Sequence, residues 1–151
     1  AYPELYGGVA VHSGTAYRGA GDVLRALAVM KQGPAPVDSL APALTAALNG
    51  KRPPPLLVFH GGADAVVVPA NGRALAAQWA AAAGTTVTEQ ERLSTGAFRV
   101  EFVAWGRDVE LWVIDGLGHA WSGGSSDGTY TDPRGPDASR EILRFLLTHV
   151  R

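Results

Sequence analysis

Asp64 and His119 are the two residues of this chain whose types and settings could do chemistry together. A carboxylate that accepts the Nδ1 proton of an imidazole fixes its tautomer. Nε2 is then free to take a proton from a nucleophile, so such a pair is the rear part of an acyl-transfer triad. His119 stands in DGLGHAWSGG, where Gly116 and Gly118 before it and Gly123 and Gly124 after it make a loop that can reach across a site. Asp64 stands in HGGADAVVV, which taken alone is ordinary turn chemistry. A loop histidine taken alone is more often solvated or structural. Each becomes a candidate because of the other. Asp115 is a rival acid, but it shares a strand end with His119 and is better placed to cap the turn there.

The serine such a pair would serve is not evident. Gly124, Ser126 and Gly128 complete a literal G-x-S-x-G, yet no apolar strand leads into it, no helix follows, and it comes after the histidine. The strained strand-to-helix elbow that exposes a nucleophile cannot form there. Ser13 ends a strand, but Val11 occupies the position where the elbow needs glycine, so Ser13 reads as a hydrogen-bonding residue at the rim of the site. The 4 histidines, His12, His60, His119 and His149, lack the spacing of a ligand cluster, and there is no cysteine. No metal site and no cofactor is therefore expected.

These side chains need a scaffold, and the apolar periodicity supplies one. Residues 9–11 form a short apolar run that reads as a strand buried on both faces, as in parallel sheets. From Asp22 as N-cap, Val23, Leu24, Leu27 and Met30 recur at helical spacing until Gly33 and Pro34. A second helix is expected from Asp38 or Ser39 through Leu40, Leu44 and Leu48, with Pro42 tolerated only near its first turn. Residues 56–59 form a buried strand ending in the turn His60 to Asp64, followed by an alanine-rich helix from Asn71 with Leu75 and Trp79 inward and Gly84 as its stop. Residues 98–105 and 109–114 read as a hairpin about Gly106. After a long loop over 116–135, a closing helix has Pro136 at its first position, Asp137 near its positive end, and Ile142, Leu143, Leu146 and Val150 on one face. Alternating strands and helices predict an α/β layered fold, with His12, Asp64 and His119 at strand ends along one rim.

Composition excludes several alternatives. A length of 151 residues allows one sizeable core, and a net charge of −1 with both signs scattered gives no nucleic-acid groove. No apolar run approaches the roughly 18 residues of a membrane span.

At the quoted residues a family resemblance emerges. The runs LLVFHGGADAVVVPANGRALAAQW, VELWVIDGLGHAWSGG and TDPRGPDASREILRFL, with YPELYGGVAVHSG at the start, resemble the C-terminal half of the extracellular polyhydroxybutyrate depolymerase and feruloyl esterase group of α/β hydrolases. The resemblance covers nearly the whole chain. The HGGAD turn is shared by many α/β hydrolases, whereas GHAWSGG is more telling. The resemblance implies an α/β-hydrolase fold, a mostly parallel sheet with flanking helices, incomplete as given, with residues 1–151 forming the C-terminal portion of a single esterase domain. It implies Asp64 as triad acid, His119 as triad base and Trp121 near the site mouth, an ester substrate, and a secreted or periplasmic location.

In that group the nucleophilic serine and the oxyanion donors lie upstream of the position where this chain begins. A missing N-terminal segment or a second chain is thus expected to supply the nucleophile, and the 151 residues alone are expected to be inactive. The alternative is a non-catalytic domain that keeps the hydrolase scaffold and binds a partner through the edge of its first strand. An in-frame G-x-S-x-G upstream distinguishes the two. Polyesters, feruloylated or acetylated polysaccharides and short acyl esters fit equally, since a fold does not carry substrate choice.

Overall fold

The strand over Leu56–Gly61 (β2) is buried at every residue, as an unbroken apolar run requires when helices cover both faces of a sheet. A computed structural model describes residues 2–149 and sets β2 among strands β1 (Val9–His12), β3 (Val87–Thr95), β4 (Phe98–Trp105) and β5 (Val109–Ile114). Helices α1 (Val23–Gln32), α2 (Val37–Leu48), α3 (Ala70–Ala83) and α4 (Ala138–His149) flank them. The strand order is β1-β2-β5-β4-β3. β1, β2 and β5 are mutually parallel, β4 runs antiparallel to β5, and β3 antiparallel to β4, so all but β4 point one way. A separate two-residue bridge joins β6 (Trp121–Ser122) to β7 (Thr131–Asp132) inside the long loop.

Strand alternation divides the core in two. Leu56, Val58, Val109, Leu111 and Val113 meet Leu75, Ala76 and Ala80 of α3 on one face. Leu57, Phe59, Trp112 and Ile114 meet Ala138 and Phe145 of α4 on the other. Alanine at 76 and 80 removes the bulk that would hold α3 away from the sheet, and both residues are buried. Arg73 of α3 adds a bidentate ion pair to Glu101 of β4, at 2.6 and 2.8 Å. On the α4 face the register aligns His12, Phe59, Trp112 and Phe102 as one lateral row across β1, β2, β5 and β4. Their rings contact in sequence at centroid distances of 5.9, 5.3 and 5.5 Å.

Several expectations are corrected. β3 escaped the periodicity because it is a charged, exposed edge strand, VTEQERLST, whose polarity protects an open edge instead of marking a buried face. β1 is half-buried, not buried on both faces, since it pairs with β2 alone. α1 forms where expected, with Asp22 accepting from the Arg25 amide, but no residue of it is buried, and Leu24 is 79 % exposed. Pro42 lies inside α2 and beyond its first turn, since the helix already starts at Val37. Pro136 precedes α4, whose N-cap contact is made by Asp137 accepting from the Arg140 amide. Leu143 faces outward, and Phe145 holds the inner position expected of it; Val150 lies outside the described residues.

Candidate active site

Two glycines in sequence let the ends of β2 and β5 meet. Gly61 pairs with Ile114 as the last residues of the β2–β5 ladder. A side chain at Gly61 would strike the backbone carbonyls of Leu117 and Gly118, so only hydrogen lets the loop after β5 pass over it. The two turns are then laced together. The Gly62 amide donates to Ile114 O at 2.7 Å and the Ala63 amide to Leu117 O at 2.9 Å. Gly116, at φ +80°, turns the chain out of β5 toward His119.

This lacing brings Asp64 and His119 together. His119 Nδ1 lies 2.8 Å from Asp64 Oδ2, within the hydrogen-bond reach that the strand-end positions suggested. Asp64 is buried, and its Oδ1 accepts from the amides of Val66 at 2.9 Å and Val67 at 2.8 Å. Burial alone would raise its pKa. The His119 hydrogen bond and the Val67 and Val66 amides outweigh burial and hold the carboxyl below the usual carboxylate range. An ionised Asp64 obliges His119 Nδ1 to be the protonated nitrogen, which leaves Nε2 with its lone pair. Asp115 is exposed and makes no hydrogen bond to the imidazole.

His60 backs the acid turn. It is buried inside β2 and not in the turn after it, and its Nε2 donates to Val67 O at 2.8 Å and stands 3.7 Å from Asp64 Oδ2. Burial depresses its pKa, against the opposing pull of the Val67 carbonyl and Asp64. Its Nδ1 has no partner among the described residues, and it faces Gly72, where any side chain would collide with the ring.

His119 opens onto a cleft of about 520 Å³ lined by His12, Ser13, Val66, His119, Ala120, Trp121 and Tyr130. Trp121 lies at its edge, 36 % exposed, with its ring on that of His12. Ser13 holds φ +56°, a left-handed backbone costing a non-glycine residue roughly 1–2 kcal/mol. Its amide donates to Phe59 O at 2.9 Å and its Oγ is 3.1 Å from His12 Nδ1. Val66 and Tyr130 were not anticipated as lining residues. Val66 follows the acid by two positions, a signal available beforehand; Tyr130 is brought in by the β6–β7 bridge, which no periodicity marks. Ser126 lies in that loop between β6 and β7, with no helix after it. No group of three His, Asp or Glu side chains among the described residues could hold a metal ion. No described helix is long and apolar enough to cross a membrane.

A family model described as Esterase PHB depolymerase matches residues 1–101, a span that contains Asp64 and stops short of His119. No curated protein matches the chain. Among solved structures, an acetyl xylan esterase from Aspergillus awamori is similar in fold, with a TM-score of 0.71 and 20% sequence identity. The match covers 96% of this chain and 52% of that one, so this chain spans about half the length of that structure.

Proposed function

The chain belongs to the PHB depolymerase esterase family, and on that premise we propose that residues 1–151 are the C-terminal portion of an α/β-hydrolase domain that cleaves carboxylic esters. In this reading Asp64 orients His119, and His119 Nε2 is the general base. The serine nucleophile and the oxyanion donors come from residues outside these 151, in an upstream segment or a second chain. His119 takes the serine proton as the oxygen attacks the ester carbonyl, then returns it to the leaving alcohol. The acyl-enzyme is hydrolysed by water activated in the same way. Ser13 and Trp121 line the pocket for the ester, whose acyl or alcohol part is a polyester, a feruloylated or acetylated polysaccharide, or a short acyl group. Secretion or export to the periplasm fits polymeric substrates of this kind.

The observation that carries the reading is the 2.8 Å contact of His119 Nδ1 with a buried, ionised Asp64, beside an open cleft. It is tested by supplying the upstream sequence in cis or in trans and measuring hydrolysis of p-nitrophenyl esters. Turnover should appear only with that segment. Asp64→Asn, which turns an amide donor toward Nδ1 and favours the Nε2–H tautomer, should lower kcat by roughly 10⁴-fold. His119→Ala should abolish turnover. Hydrolysis by the 151 residues alone that disappears on Ser13→Ala or Ser126→Ala would instead move the nucleophile into this chain. No turnover with the upstream segment present would favour a binding module.

A further inference from the structure

The loop carrying His119 is fastened to the acid turn on one side, but on the other it runs into Gly123 and Gly124. There Trp121 and Gly123 donate to the carbonyls of Tyr130 and Asp132 in the β6–β7 bridge, and Ser122 between them, fully buried, ties that bridge to the main sheet. Its Oγ donates to Pro136 O at 2.7 Å, and its amide donates to His12 Nε2 at 3.2 Å, across 110 positions of sequence. An Nε2 that accepts from an amide carries no proton, so His12 is neutral with its proton on Nδ1, directed at Ser13 Oγ. The same imidazole closes the lateral row of rings. It stacks on Phe59 at 5.9 Å with 9° between planes, and takes Trp121 on its own ring at 5.1 Å and 24°.

We propose that His12 is a positioning residue for the Asp64–His119 pair, pinning the far side of the His119 loop by accepting the Ser122 amide and stacking between Phe59 and Trp121. With its lone pair engaged, His12 is no second general base, although it lines the cleft. Burial, with the neighbouring His60 and His119 imidazoles, pushes its pKa down to about 4, which keeps the accepting nitrogen bare near neutrality. Without this contact the β6–β7 bridge loses its tie to β1, and the glycines flanking the loop let the bridge and His119 shift away from Asp64 together. The inference builds on the base role proposed for His119, but its test reads loop geometry in the 151-residue chain and does not depend on ester turnover.

The test is hydrogen exchange by NMR, following the Ser122 amide, the His119 Nδ1 proton and the β2 amides. His12→Phe keeps a ring in the row and removes the acceptor. Leaving a buried amide unpaired should speed exchange at Ser122 and at His119 Nδ1 by about tenfold or more, with the β2 amides unchanged. His12→Gln offers a carbonyl acceptor and should bring both rates back to within about threefold of the starting protein. Unchanged exchange in His12→Phe, or equal loss in both variants, overturns the proposal. Should His12→Phe fail to fold, the unsubstituted protein decides: a scalar coupling between the Ser122 amide nitrogen and His12 Nε2 supports the anchor, and its absence removes it.

Discussion

Replacing Gly61 with alanine tests how the candidate site is assembled, because the glycine's value lies in proximity and not in backbone freedom. An added Cβ would stand 2.9 Å from the Leu117 carbonyl carbon and closer still to two carbonyl oxygens, all of them backbone atoms with no rotamer to escape into. The loop after β5 must therefore back away from the acid turn. Overpacking of this kind costs roughly 1–3 kcal/mol. The hydrogen bonds Gly62 N–H to Ile114 O and Ala63 N–H to Leu117 O would be stretched or lost, at about 1 kcal/mol each. The sum, about 3–5 kcal/mol, is a large share of the roughly 5–15 kcal/mol that holds a domain folded. Urea unfolding followed by circular dichroism measures it, with 15N NMR of the His119 ring reporting whether Nδ1 still donates to Asp64. Gly7→Ala is the control: nothing lies within 4 Å of its Cβ, and it should be neutral or slightly stabilising. Gly61→Ala within about 1 kcal/mol of the parent, with the His119 signal unaltered, would refute close approach as the reason for glycine at this position.

Phe145→Ala empties the centre of the α4-face core and should cost about 3–5 kcal/mol in chemical denaturation, whereas Leu143→Ala, on the exposed side of the same helix, should stay within about 0.5 kcal/mol. Acid should destabilise the chain from the titration range of ordinary histidine downward. The folded pKa of His12 is depressed from 6.5 to about 4, so its stabilising contribution is complete above 6.5 and is lost as pH falls through about 4. His60 acts in the same direction, and Asp64, held below 3.8, extends the loss to lower pH. Thermal melts should thus show Tm falling steadily from pH 7 to 4, and His12→Phe should flatten that slope.

The sequence discloses this architecture unevenly, and the reasons are physical. Leu56 to Phe59 and the hairpin about Gly106 were readable because burial on a sheet demands runs of apolar residues and a left-handed turn demands glycine. β3 was not, because an edge strand is shaped by what it must avoid, and its run of polar residues from Thr88 to Arg92 gives no apolar alternation. The spacing of Val23, Leu24 and Leu27 announces a helix correctly and yet says nothing about cover, for periodicity records a face and not what lies against it. The contact of Asp64 with His119 was legible through chain order and their glycine turns. The Ser122 to His12 contact was not, since it links residues 110 apart through a backbone amide, a group every position carries.

The in-register end of β2 and β5 separates two properties that enzymes often hold in the same loops. The spacing of Asp64 from His119 is set on one side of the loop by neighbouring strands and two laced turns, and on the other by the Ser122 contact with His12, so it is tied to the sheet at both ends. The side chains of the cleft rim are held less closely, although the Val66 amide donates to Asp64 and the Tyr130 carbonyl accepts from the Trp121 amide. Val66 sits on the turn beyond the acid, and Tyr130, 72 % exposed, immediately precedes β7, both outside the five-stranded sheet. Substitutions at these two positions reshape the cleft mouth while the Asp64–His119 contact keeps its distance. The shape of the cleft mouth and the geometry of the pair beneath it are therefore set by different residues, and Val66 and Tyr130 can change without rebuilding the pair.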